Sequence, residues 1–220
     1  MAVSAGACLV AADLVEGGNM WKEVLGNRFV AHYLLEEGQV LVLSFVDDEA
    51  FSIIPKKVKK KDNLLVVTEK EVIDGADVFP IEWLTIKTTG KCIEGTDILQ
   101  NVKIDLHELR EQLEYEVRSK LIDLRQHLFF ENSKSRNTAY IRDGVKTLVP
   151  ILRALVGLKD KQPEEDLQQL IKQVEMLWKI ESDVVIEAKN TNRRNVLLHA
   201  QELRHWLKQV ANVVNDVQIE

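Results

Sequence analysis

The sequence predicts an α+β N-terminal domain with a small mixed sheet, followed by an all-α antiparallel four-helix bundle. Three observations predict it. Short apolar runs rich in β-branched and aromatic residues fill the first hundred positions. Beyond about residue 103 the apolar period turns helical. The helical segments that follow are joined by short polar loops, as in an antiparallel bundle. The boundary is placed between 102 and 103, giving domains 1–102 and 103–220.

In the first domain, "RFVAHYLL", "QVLVLSF", "NLLVVT" and "DVFPIEWLTIK" are the strand candidates. In the last, Phe79, Ile81, Trp83 and Thr85 alternate against Pro80, Glu82, Leu84 and Ile86. Gly38, Gly75, Gly90 and Gly95 fall between or just beyond these runs. Helices are expected around "MWKEVLG" and "DDEAFSIIPKKVKKK", with Pro55 kinking or shortening the second. In the second domain, Leu106, Leu109, Leu113, Val117, Leu121, Leu124 and Leu128 form one stripe. Asp105 with Glu108 is a variant capping box and starts that helix. The second helix runs through "TAYIRDGVKTLVPILRALVGL", with a kink at Pro150. The third opens at Pro163 and runs to "IEAK", with acids in its first turn. The fourth is "RRNVLLHAQELRHWLKQVANVVNDV".

Composition narrows the function classes. The chain is 45% hydrophobic and 29% charged, so it can bury a core. A net charge of −6 argues against broad nucleic-acid binding. Cys8 and Cys92 give neither a disulfide framework nor zinc spacing, which fits a reduced cytoplasm. No apolar run approaches the roughly 20 residues that span a bilayer. The first 18 residues lack a basic segment and carry Asp13, so they read as a helix or loose leader rather than a signal peptide.

Three groups of residues bear on chemistry. Glu82 is a lone acid among apolar neighbours, so it is solvated, paired or part of a site. The basic run "PKKVKKK", with Lys56 and Lys57, is a solvated helix end or a phosphate or RNA contact. Arg194, Asn195 and His199 match an R-N-x-x-x-H string. His107, His127 and His205 are isolated and show no metal-ligand spacing. Trp178 and Trp206 lie on helix faces and read as core.

The segment Leu64–Leu99, with its unusual string "DVFPIEWLTIK", resembles uncharacterised bacterial members of the nucleotidyltransferase superfamily. That superfamily includes kanamycin nucleotidyltransferase and DNA polymerase β. "LGNRFVAHYLL" and "QVLVLSF" resemble its first two strands, and the likeness covers about four-fifths of the chain. The resemblance implies a Gly-Ser turn for the triphosphate after the first strand. It implies a D-x-D pair holding Mg²⁺ at the start of the second, and a third acid on a later strand. This sequence has Glu36 and Glu37 at the turn, and Gly38 and Val40 near the D-x-D positions. Asp47 and Asp48 follow the strand. Glu82 then reads as a vestigial third carboxylate or as a solvent-facing strand residue.

The resulting expectation is a catalytically degenerate protein that binds a nucleotide or a protein partner. Glu36, Glu37, Lys56 and Lys57 are the nucleotide-site candidates. One alternative is an active enzyme with Mg²⁺ on Glu36, Glu37 and Glu82; no other cofactor is expected. The R-N-x-x-x-H string resembles that of HEPN-type ribonucleases, which gives a second alternative, a ribonuclease or toxin–antitoxin component. There Arg194 would hold the scissile phosphate and His199 would act as acid or base. Long apolar stripes suggest a homodimer; a membrane and nucleic acid are not expected partners.

Overall fold

The computed structural model describes residues 20–36, 38–58 and 63–219. It is a mixed α/β protein, mostly helical, with one four-stranded mixed sheet. The elements are α1 (Met20–Leu25), β1 (Phe29–Leu35), β2 (Gly38–Leu43), α2 (Asp48–Lys57), β3 (Leu64–Thr68), α3 (Glu69–Asp74), α4 (Pro80–Thr89) and β4 (Lys91–Gly95). Then come α5 (Leu106–Phe130), α6 (Lys134–Gly144), α7 (Val149–Gly157), α8 (Leu167–Trp178), α9 (Val184–Lys189) and α10 (Val196–Asp216). Among the described residues no helix is long and apolar enough to cross a membrane. Two compact units divide the chain. One takes the described residues up to Ala76 together with Thr89–Lys103; the other takes Asp77–Thr88 and the chain from Ile104 onward.

In the sheet unit the strand order is β3-β2-β1-β4. The antiparallel β1–β2 hairpin sets Leu35 opposite Gly38 and His32 opposite Leu41. β3 runs parallel to β2, reached through α2, and β4 is antiparallel to β1. β2 is central, and Val40, Leu41, Val42 and Leu43 are all fully buried. That explains its unbroken apolar run: a strand covered on both faces has no polar side to alternate with. Trp21 and Leu25 of α1 pack with Leu41 and Leu43. Asp47 caps α2, accepting the Ala50 N–H at 2.9 Å, and Pro55 is accommodated inside that helix. At Gly95 the φ is +92°, and an added Cβ would lie 2.1 Å from the Val30 carbonyl oxygen. Only glycine fits this close approach of β4 to β1.

His32 is buried in this sheet. Its Nε2 lies 2.8 Å from Gln39 Oε1, and Trp21 stands edge-on with ring centroids 6.0 Å apart. Burial pushes its pKa below the ordinary value, and the Gln39 hydrogen bond only partly opposes this.

The structure corrects the fourth strand. "DVFPIEWLTIK" is not a strand; residues 80–89 are the helix α4, and the fourth strand is Lys91–Gly95. Pro80 suits a helix start, Glu82 sits in the first turn and Lys87 in the last. Pro80, Ile81, Trp83, Ile86 and Thr88 are all buried, so the helix is covered on most sides. A short helix buried this way shows no clear 3.6 period and is easily read as a strand. Ile81 belongs to the helical unit's core and Leu84 packs against it. The Ile81 N–H donates to Gln112 Oε1 of α5 at 2.8 Å.

α5 follows the expected stripe: Leu109, Leu113, Val117 and Leu124 are buried, with Leu106, Leu121 and Leu128 packed beside them. Asp105 caps it, accepting the His107 and Glu108 N–H groups at 2.7 and 3.1 Å. The expected second helix is divided by a 3₁₀ turn at Val145–Thr147, just before Pro150. The expected third helix starts at Leu167 rather than Pro163, because Asp166 caps Gln168 and Gln169, both at 3.0 Å. It also breaks at Lys179, whose φ is +58°, and resumes as α9. The fourth begins at Val196, three residues later than Arg193. Trp206 is buried with its N–H donating to Ser182 Oγ at 3.0 Å; Trp178 is half-buried and donates to the Leu155 carbonyl at 2.8 Å. Both are packing residues, as expected.

Gly95→Ala is expected to destabilise the protein by about 2–4 kcal/mol, because the clash is with backbone and the φ is disfavoured. A denaturant titration of both proteins measures it. His32 gives a pH dependence of known sign. Its folded-state pKa is depressed, so its neutral form is favoured and its contribution is full above the ordinary value of 6.5. As pH falls below that, the unfolded chain takes up the proton first and stability is lost. Thermal melts should therefore fall between about pH 7.5 and about pH 5.5, and less steeply in His32→Gln, which keeps a polar partner for Gln39 but does not titrate.

Candidate functional site

Several carboxylates of the sheet unit are held in local hydrogen bonds. Asp47 accepts from Arg28 Nε at 2.9 and 3.0 Å besides capping α2; Glu49 pairs with the same guanidinium. The Arg28 hydrogen bond holds the Asp47 carboxyl below its ordinary range. Glu71 completes a capping box with Thr68, accepting its N–H at 2.7 Å and its hydroxyl at 2.8 Å. That backbone hydrogen bond likewise lowers the Glu71 carboxyl. Glu94 accepts the N–H groups of Trp21 and Lys22 at 3.2 and 2.8 Å, as α1 starts. Asp97 accepts the Tyr33 hydroxyl at 2.9 Å and the Leu99 N–H at 3.2 Å. Burial pushes the Tyr33 phenol up, so it remains a donor.

Glu36 is exposed in the turn after β1. Glu37 lies outside the described residues, as do Lys59–Lys61 of the basic run and the first 18 residues. Gly38 begins β2 and Val40 is buried within it, so these positions offer no ligand. Of the later strands, β3 carries no acid, and β4 carries Glu94. Lys56 and Lys57 are exposed in the last turn of α2, where cations favour the helix dipole. Glu82 is exposed on α4 and accepts Gln112 Nε2 at 2.7 Å. Gln112 thus bonds both the Ile81 backbone and the Glu82 side chain. Glu82 belongs to the helical unit, whereas Glu36 belongs to the sheet unit.

The R-N-x-x-x-H string sits where α9 gives way to α10. Asn195 Oδ1 accepts the Asn192 N–H at 2.9 Å, and Asn192 Oδ1 accepts the Arg194 N–H at 2.9 Å. These two bonds fold the loop tightly before α10. Arg193 donates to Ser135 Oγ at 3.1 Å, while Arg194 is exposed. His199 Nε2 lies 3.4 Å from Asn195 Nδ2, one helical turn away.

One group that the sequence reading missed does converge. Glu187, His199 and Glu202 each offer a ligand-type atom, and these atoms lie within 4.8 Å of one another. The spacing His199-x-x-Glu202 was legible, since residues three apart share a helix face. Glu187, on α9, could be added only by the fold. No protein-family model, curated protein or solved structure matches this chain.

The ribonuclease reading needs Arg194 to hold a phosphate beside His199. Purified protein is expected to leave transfer RNA intact in metal-free buffer. Cleavage lost in both Arg194→Ala and His199→Ala would make the helical unit the active one.

Proposed function

We propose that this chain is a catalytically degenerate nucleotidyltransferase-like protein, with its four-helix bundle behind a reduced transferase domain. It acts by binding a nucleotide or a protein partner. The observation that carries this reading is the engagement of four of the sheet unit's acids. Asp47, Glu71, Glu94 and Asp97 each serve as a cap or a hydrogen-bond acceptor for their own surroundings. A two-metal phosphoryl-transfer site needs at least two carboxylates on one ion, with lone pairs to spare.

Two further features support it. The β1–β2 connection is a tight hairpin, with Leu35 paired to Gly38, and leaves little backbone to cradle a triphosphate. The acid at that turn, Glu36, would repel phosphate oxygens unless a cation intervened. The helical unit exposes large apolar side chains, among them Phe129, Phe130, Leu197 and Leu198, which a partner could cover. Self-association through that unit is part of this reading.

Calorimetric titration with ATP or GTP and Mg²⁺ is expected to give no metal-dependent binding in the micromolar range. Micromolar binding abolished by chelator, and weakened in Glu36→Gln and Glu82→Gln, would instead establish the rearranged enzyme site.

A further inference from the structure

α9 and α10 pack as neighbours, burying Val185 and Ala188 from one and Val196, Ala200 and Leu203 from the other in a shared core. Beside this contact stand Glu187, His199 and Glu202. Their ligand-type atoms lie within 4.8 Å of one another. His199 Nδ1 and Glu202 Oε2 are buried, and neither has a hydrogen-bond partner among the described residues. Buried polar atoms without partners are costly, and each such atom asks for an explanation.

The bland explanation is a charged cluster that satisfies itself. The geometry does not support that. His199 forms no ion pair with either glutamate, although both are near. The two carboxylates repel each other. The three groups are thus too far apart to satisfy one another and close enough to share an ion. With metal–ligand bonds of about 2.0–2.2 Å, two ligands of a tetrahedral ion stand roughly 3.3–3.6 Å apart. Side-chain rotations that move each atom by about 1 Å reach that spacing.

The surroundings favour a cation. Glu187 and Glu202 line an open cleft of about 800 Å³, which Glu181, Asp183 and Lys179 also line. Four carboxylates thus line it together with one lysine and His205.

We propose that Glu187, His199 and Glu202 bind a divalent first-row transition metal. One imidazole with two carboxylates suits Zn²⁺ or its neighbours, whereas Mg²⁺ and Ca²⁺ prefer all-oxygen shells. Three protein ligands leave at least one coordination position for solvent or a further ligand. This site is independent of the Mg²⁺ reading of Glu36, Glu37 and Glu82.

The test uses the full chain, stripped with chelator and titrated with Zn²⁺ by calorimetry. One ion per chain is expected. Affinity should drop at least about tenfold in Glu202→Gln and in His199→Gln, with circular dichroism confirming that both variants stay folded. Glu187→Gln should weaken binding without touching the helix core. Co²⁺ should give visible absorption in the wild type, lost in His199→Gln. His107, 3.7 Å from Glu111 on α5, is the competing surface site, and His107→Ala should change nothing. Absence of saturable Zn²⁺ binding would overturn the proposal. So would binding lost in His107→Ala but kept in the other variants, or equally tight binding of Mg²⁺.

Discussion

The apolar stripe of α5 must be covered, and that requirement organises the helical unit. Leu109, Leu113, Val117 and Leu124 run along a 25-residue helix, all of them buried. Full burial of each such side chain stabilises by roughly 1.5–3 kcal/mol. α7 and α10 supply much of the cover, with Leu152, Leu155, Trp206 and Val210 in the same core. α4 joins it through Ile81 and Leu84. Gly157 of α7 permits the approach: a Cβ there would lie 2.7 Å from Leu84 Cδ2 and 3.2 Å from Leu109 Cδ2. The absence of one side chain lets three helices meet.

The capture of α4 determines what Glu82 can do. A carboxylate on a strand beside two others is a metal ligand in waiting. A carboxylate in the first turn of a helix complements the dipole, and this one also holds Gln112. The same economy governs the sheet unit. Each backbone N–H at a helix start needs an acceptor, and short acidic side chains are the nearest. Asp47 meets that need at α2, Thr68 and Glu71 share it at α3 as a capping box, and Glu94 meets it at α1 from β4. An acid engaged this way has fewer lone pairs to offer an ion. The functional reading of the sheet unit as a binding module rests on that competition.

The helical unit shows the opposite situation at α9 and α10. There the local hydrogen-bond demand is met by asparagines, Asn192 and Asn195, which close the loop on themselves. His199 and Glu202 are left with buried atoms that nothing engages. The same histidine that completes a ribonuclease-like string therefore has a different set of neighbours in space. Its sequence companion Arg194 is exposed, and its spatial companions are two glutamates.

By itself the sequence determined the mixed class, three of the four strands, the start of α5 and its buried stripe. These rest on local physics: side-chain period, an Asp cap and β-branched composition, all readable within one window. It also determined which residues stand at the first-strand turn, Glu36 and Glu37. Only the tertiary structure decided that Pro80–Thr89, most of the string "DVFPIEWLTIK" among them, is a helix. Its burial on most sides erases the period that would have identified it, and the core that buries it lies more than twenty residues further on. Lys179 breaks the third helix through a left-handed residue that composition does not announce. Likewise His199 and Glu202 share a face that spacing could show, but Glu187 reaches them only because α9 folds back on α10. A helix period places ligands from one helix; a third ligand from another helix is fixed by packing, which no local pattern contains.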